Sequence, residues 1–161
     1  MFRPLVTPAS PLVQDVALLL ARVVTGVVLI AHGWQKVSTN GLDATGQGFD
    51  AMGVPAPDAA APFTAGVELV GGVLLVLGLL TPVAGVLVAA VLAGAFWFAH
   101  RGTTILAGEG GWELVAVIGF LGLVLAAVGP GRFSLDAVLR GRGTSADRTA
   151  DAAEREAVGS R

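Results

Sequence analysis

The stretch Val16–Val37 reads VALLLARVVTGVVLIAHGWQKV, and it decides the fold. These 22 residues match the roughly 20 needed to cross a hydrocarbon core about 30 Å thick, although they include Arg22, His32 and Lys36. At 100° per residue, Asp15, Arg22, Thr25, Gly26, Leu29, His32, Gly33 and Lys36 share a sector of roughly 120°. Val, Leu and Ile fill the opposite face. A helix that is polar and small on one side and aliphatic on the other belongs in lipid with its polar side turned into a bundle.

Working outward, three further apolar runs follow, so that helices are expected at about 16–37, 61–80, 83–100 and 112–129. None alternates with a period of two, which excludes barrel strands and leaves helices as the way to satisfy the backbone in lipid. The expected architecture is all-α: a four-helix transmembrane bundle over residues 1–138, followed by a polar tail over 139–161. That tail, rich in Arg, Asp, Glu, Ala and Ser, is expected to be disordered or a frayed solvent helix. Composition agrees with a membrane class. Of the 161 residues, 54% are hydrophobic and only 14% charged, against about 25% in soluble domains. Mean hydropathy is +0.77. A formal charge of −2 provides no basic footprint, so nucleic acid is not a partner. With no cysteine, disulfides, thiolate nucleophiles and Cys-ligated metals are excluded.

The connections are unequal. Thr81-Pro82 predicts a tight hairpin, with Pro82 in the first turn of the third helix. Arg101–Gly111 is a glycine-punctuated loop, and Ser38–Ala60 is a long one. The first helix is expected to be retained rather than cleaved as a signal peptide. Its apolar run exceeds the usual 7–15 residues, Arg22 interrupts it, and no small-x-small site follows. Arg3, Arg132, Arg140 and Arg142 flank helices one and four on one side, with Arg148, Arg155 and Arg161 further along the tail. Only Lys36 and Arg101 stand on the other side, so both termini are expected in the cytoplasm. Trp34, Trp97 and Trp112 then fall at the outer helix ends, as an aromatic belt would.

Charges inside a bilayer are functional candidates by default. Glu68 shares one face of the second helix with Thr64, Gly71, Gly72 and Leu75. Glu68 lies about 10 Å and His32 about 7 Å below the outer surface, whereas Arg22 is about 9 Å from the inner one. His32 with Glu68 is the easiest pair, and Lys36 completes a cluster. Arg22 must reach up to Glu68 or down to Asp15. His100 ends the third helix and Glu113 opens the fourth. Together these residues predict a polar pocket that opens outward and suits a hydrophilic headgroup with an apolar tail. The bland reading is that these charges only fix helix register or snorkel to the interface. Gly85-x-x-x-Ala89, Ala90-x-x-x-Gly94 and Gly119-x-x-Gly122 read as close helix contacts, within the bundle or in a homo-oligomer. No metal site is assigned, because no His/Glu pair at i, i+3 or i, i+4 exists.

The constellation resembles the DoxX family of small four-helix bacterial membrane proteins. The residues that carry the resemblance are Arg22, Ala31-His32-Gly33-Trp34-Gln35-Lys36, Phe49-Asp50-Ala51-Met52-Gly53-Val54-Pro55, Glu68-Leu69-Val70-Gly71-Gly72 and Leu77-Gly78-Leu79-Leu80-Thr81. The closing motif is Gly129-Pro130-Gly131-Arg132-Phe133-Ser134-Leu135-Asp136. The match covers about residues 15–138 and implies a protein of the bacterial cytoplasmic (plasma) membrane with a redox connection. Relatives are linked to quinone-coupled thiosulfate oxidation and to membrane complexes with superoxide dismutase and a sulfurtransferase.

Three functions compete on this basis. The first is a redox-associated subunit that anchors or organises oxidoreductase partner proteins and binds quinone, with no covalently bound cofactor. The second is a quinone-reactive oxidoreductase of sulfur compounds, in which His32 moves a proton at a quinone oxygen, Glu68 orients it and Lys36 holds an anionic substrate. Arg22, His100 and Glu113 would add to substrate binding. The third is a small proton-coupled transporter, which lacks inverted-repeat symmetry. Whether the chain is itself an enzyme stays open at this level.

Overall fold

The computed structural model describes residues 10–141. Five α-helices follow one another: α1 (Pro11–Trp34), α2 (Leu42–Ala51), α3 (Pro57–Leu77), α4 (Thr81–Ala95) and α5 (Glu113–Val128). Wider π-helical turns extend α1 over Gln35–Thr39 and α4 over Phe96–His100. Among the described residues there is no strand. Pro11–Thr39, Pro57–Leu77 and Thr81–His100 are long and apolar enough to cross a membrane. At 16 residues, or about 24 Å, α5 is shorter. Residues 135–141 form a further helical segment. The rest of the expected tail lies outside the described residues.

Helix α1 starts where Ser10 caps it, its hydroxyl accepting from Val13 N at 3.4 Å, with Pro11 in the first turn. Its buried face is Asp15, Arg22, Thr25, Gly26, Leu29 and Gly33, which is the polar-small sector of the sequence. That sector packs on α3, and the helices touch backbone to backbone. A Cβ on Gly26 would meet Gly72 O at 2.5 Å, and one on Gly72 would meet Gly26 O at 2.7 Å. The second close pair is α4 with α5, where a Cβ on Gly85 would meet Gly122 O at 2.4 Å. Small residues at a crossing let backbones approach closely in lipid, where no hydrophobic force drives helices together. Between the pairs runs the apolar core of Leu29, Leu75, Ala84, Val88, Leu92, Ile118 and Leu125. The outer surface is aliphatic and aromatic, with Val24, Val70, Val117 and Phe120 each at least 60% exposed. Such a surface is tolerable only in lipid.

Two connections differ from the expectation. The reversal between α3 and α4 is made by Gly78-Leu79-Leu80, not by Thr81-Pro82, which instead open α4. Gly78, at φ +67°, ends α3 in a Schellman motif, with Leu79 N bonded to Leu74 O and Gly78 N to Leu75 O. Leu80 follows at φ +49°, so the chain turns back within three residues. The Ser38–Ala60 segment is not merely a loop, because it holds α2. Thr45 and Gly46 are the buried side of that helix, which lies against α3.

Candidate functional site

At the end of the bundle marked by the π-helical turns, α1, α2, α3, α4 and α5 surround a cavity of about 540 Å³. Its walls are mostly apolar, from Leu29, Phe49, Leu87, Phe98, Leu114 and Ile118 among others. Four ionisable side chains reach it: His32 and Lys36 from the end of α1, Glu68 from α3 and His100 from the end of α4. Lys36 and His100 both belong to π-helical turns, which are frequent at functional sites because they re-aim side chains.

Lys36 Nζ donates to Glu68 Oε2 in a direct ion pair. Glu68 is buried and Lys36 is partly open to the cavity, with side chains 6% and 21% exposed. Their charges cancel at the cavity wall, and the remaining ammonium hydrogens stay available. His32 is half-buried on the same helix face, one turn from Lys36, and its ring makes no hydrogen bond among the described residues. His100 is anchored through Nδ1 at 3.1 Å from Ala95 O, which leaves Nε2 free of that contact. Thr64 Oγ1 donates to Ala61 O at 3.2 Å and leaves an acceptor toward the cavity.

Phe49 of helix α2 and Met52 at its C-terminal cap line the cavity, and Val54 adds to the wall two residues further on. Thr45 Oγ1 ties this helix down by donating to Gly41 O at 2.9 Å and approaching Lys36 O at 3.3 Å. Sequence reasoning passed over α2. The signal was the spacing of Leu42, Thr45, Gly46 and Phe49 at i, i+3, i+4 and i+7. The tryptophans gather at the same end. Arg101 stacks over Trp97 at 4.4 Å, and Phe96 meets Trp112 edge-on at 6.0 Å.

Two expected site residues stand apart from the cavity. Glu113 instead caps the loop before α5, accepting from Ala107 N at 2.9 Å. Arg22 lies toward the opposite end and pairs with neither Glu68 nor Asp15. Its guanidinium is fully enclosed and donates to Leu75 O at 3.4 Å and to Phe133 O. Leu75 is in the last turn of α3, where its carbonyl also accepts from Gly78 N and the negative end of the helix dipole favours a cation. Asp15 accepts from Arg132 N at 3.0 Å, and Asp136 N donates to Gly78 O at 3.1 Å. The segment after α5 is thereby fastened to both α1 and the α3–α4 turn.

The DoxX family model matches residues 17–101. A Bacillus subtilis protein named "Putative oxidoreductase CatD" is 41% identical over 81 residues, covering 50% of this chain and 58% of that relative. An uncharacterized membrane protein of Mycobacterium tuberculosis is 34% identical over 137 residues, covering 77% of this chain and 82% of its own length. The inner membrane protein YqjF of Escherichia coli is 32% identical over 129 residues, covering 78% and 94%. No solved structure matches the chain at a significant level. Apolar helices of membrane-crossing length, a lipid-compatible surface and these relatives agree: the chain is a multi-pass protein of the bacterial cytoplasmic membrane and belongs to the DoxX family.

Proposed function

We propose that this protein is a redox-associated membrane subunit that binds a lipid-soluble quinone in the cavity at the Lys36 end and anchors oxidoreductase partner proteins. In this reading α1, α3, α4 and α5 all cross the bilayer and both termini are cytoplasmic. Arg132 and Arg140 at the Arg22 end support that orientation through the positive-inside rule. The cavity then opens toward the outer half of the membrane.

The observation that carries the proposal is the cavity itself: about 540 Å³, apolar along most of its walls, with the Lys36–Glu68 pair, His32 and His100 in its lining. Ligand sites have this form, a mostly apolar hollow of about 300–1,000 Å³ with a few convergent polar groups. A quinone ring needs donors for two carbonyl oxygens and apolar walls around them, so this residue set fits it. When bound, such a molecule carries two electrons and two protons. Lys36 Nζ would donate to one oxygen while Glu68 holds the ammonium in place. His32, without a hydrogen bond among the described residues, is suited to give or take a proton at the other oxygen. Because Glu68 already neutralises Lys36, the site favours a neutral headgroup over an anion. The whole chain lacks cysteine, so any thiol step belongs to a partner.

Purification in mild detergent, with mass spectrometry of lipids and proteins, tests this reading. Wild type is expected to carry quinone and recover an oxidoreductase. The Lys36→Met, Glu68→Gln double variant, which removes the ion pair without leaving a buried unpaired carboxylate, is expected to lose the quinone with an unchanged helical melting curve. Wild type recovered without quinone and without any oxidoreductase would overturn it.

A further inference from the structure

A second hollow, of about 310 Å³, runs along the lipid-facing side of α3 and α4. Phe63, Gly66, Val70, Leu74, Val83 and Leu87 mark its length, and no polar or charged residue lines it. Two of these, Phe63 and Leu87, also wall the Lys36-end cavity, so the hollows meet at that pair. Both are exposed at the outer surface, 59% and 44%, and so are Val70 and Val83 along the groove. From Phe63 to Leu74 the groove follows α3 for about 16 Å, half the thickness of a hydrocarbon core. Its floor includes Gly66, where an added Cβ would find nothing within 4 Å.

We infer that this groove seats the hydrocarbon tail of the ligand whose headgroup enters the cavity, and that Phe63 and Leu87 form the threshold between them. The inference rests on the headgroup reading proposed above and extends it to a ligand class: a long-chain lipid with a small neutral polar head, entering sideways from the bilayer. Continuity argues for this occupant. A headgroup held by Lys36 and His32 leaves its chain pointing past Phe63, and the adjoining surface is wholly apolar over the length such a chain covers. A second copy of the protein fits the groove less well. Close helix packing needs a small-residue stripe clear of bulk, whereas Phe63 and Val70 rise on either side of Gly66.

The test is Gly66→Leu, which fills the groove where space is open and leaves the polar cluster untouched. Binding is measured in nanodiscs with long-tailed menaquinone and with menadione, which has the same ring and no tail. Wild type is expected to bind the long-tailed quinone more tightly. Gly66→Leu is expected to weaken that binding about tenfold, through lost apolar burial, and to leave menadione affinity unchanged. Retained menadione binding also reports that the variant is folded. Wild type and variant with the same preference for the long tail would overturn the groove while sparing the headgroup site. A wild type that binds neither quinone would overturn the headgroup reading and this inference with it. If Gly66→Leu instead changes the oligomeric state and not the affinity, the groove is a contact between copies and the inference fails.

Discussion

At one end of the bundle Lys36 meets Glu68 beside an apolar cavity of about 540 Å³; at the other, Arg22 is fully buried and bonded to backbone carbonyls. Both are charges brought inside a membrane protein on the same face of α1, yet they are held differently, and Arg22 keeps its buried Nε without a hydrogen-bond partner among the described residues. Arg22 is held by Leu75 O and Phe133 O, which move only if α3 or the segment after α5 moves. Its rigid planar fork sends one nitrogen, Nη1, to Leu75 O and the other, Nη2, to Phe133 O, whereas a lysine offers a single nitrogen. The contact is tight enough that a Cβ on Gly78 would lie 1.8 Å from Arg22 Nη1 and 2.6 Å from Ser134 Cβ. Lys36 and Glu68, by contrast, are a pair of side chains at a cavity wall, and either can turn to a ligand without disturbing the backbone. A buried charge fixed by backbone therefore reads as a fastening, and one paired by side chain next to empty volume reads as a site.

The comparison breaks most visibly if the fastening is not needed. Gly78→Ala forces a left-handed residue to carry a Cβ and pushes it into the guanidinium. A loss of about 3 kcal/mol in unfolding free energy is expected, with quinone affinity of the folded fraction unchanged. Thermal unfolding in detergent, with binding measured below the transition, checks both halves. Asp15→Ala should act in the same direction but less strongly. It removes the acceptor for Arg132 N and costs about 1–2 kcal/mol, again without effect on binding. Glu113→Ala should do least. Its bond to Ala107 N is exposed and lies outside the cavity, so a change below about 1 kcal/mol and unaltered affinity are expected. A marked loss of binding in Glu113→Ala would return that residue to the site and blur the distinction between the ends.

Much of this was legible in the sequence. The polar-small sector of α1 and the Glu68 face of α3 follow from a 100° step, and both turn inward in the structure. Gly85 and Gly122 sit where spacing suggested close contact, although Gly94 touches nothing within 4 Å. The partner of Arg22 was not legible. Its acceptors are main-chain oxygens of residues 53 and 111 positions away, and carbonyls leave no mark on residue identity. The reach of Lys36 to Glu68 is hard to read from the sequence for a different reason. Helix depth ranked His32 closer, but the lysine stem is long and its π-helical turn re-aims it. Helix α2 was obscured by Gly41, Gly46, Gly48 and Gly53, whose number argued for a loop more loudly than a short apolar period argued for a helix.

One side-by-side measurement bears on this division most directly: long-tailed menaquinone affinity and melting temperature for wild type, the Lys36→Met, Glu68→Gln double variant and Arg22→Lys in the same nanodiscs. The double variant removes the ion pair without leaving a buried unpaired carboxylate. The expected result is a crossed pattern, with the double variant losing affinity at a nearly unchanged melting temperature, and Arg22→Lys losing melting temperature at unchanged affinity. If the double variant binds as wild type does while Arg22→Lys, still folded, does not, the two ends have been assigned the wrong way round.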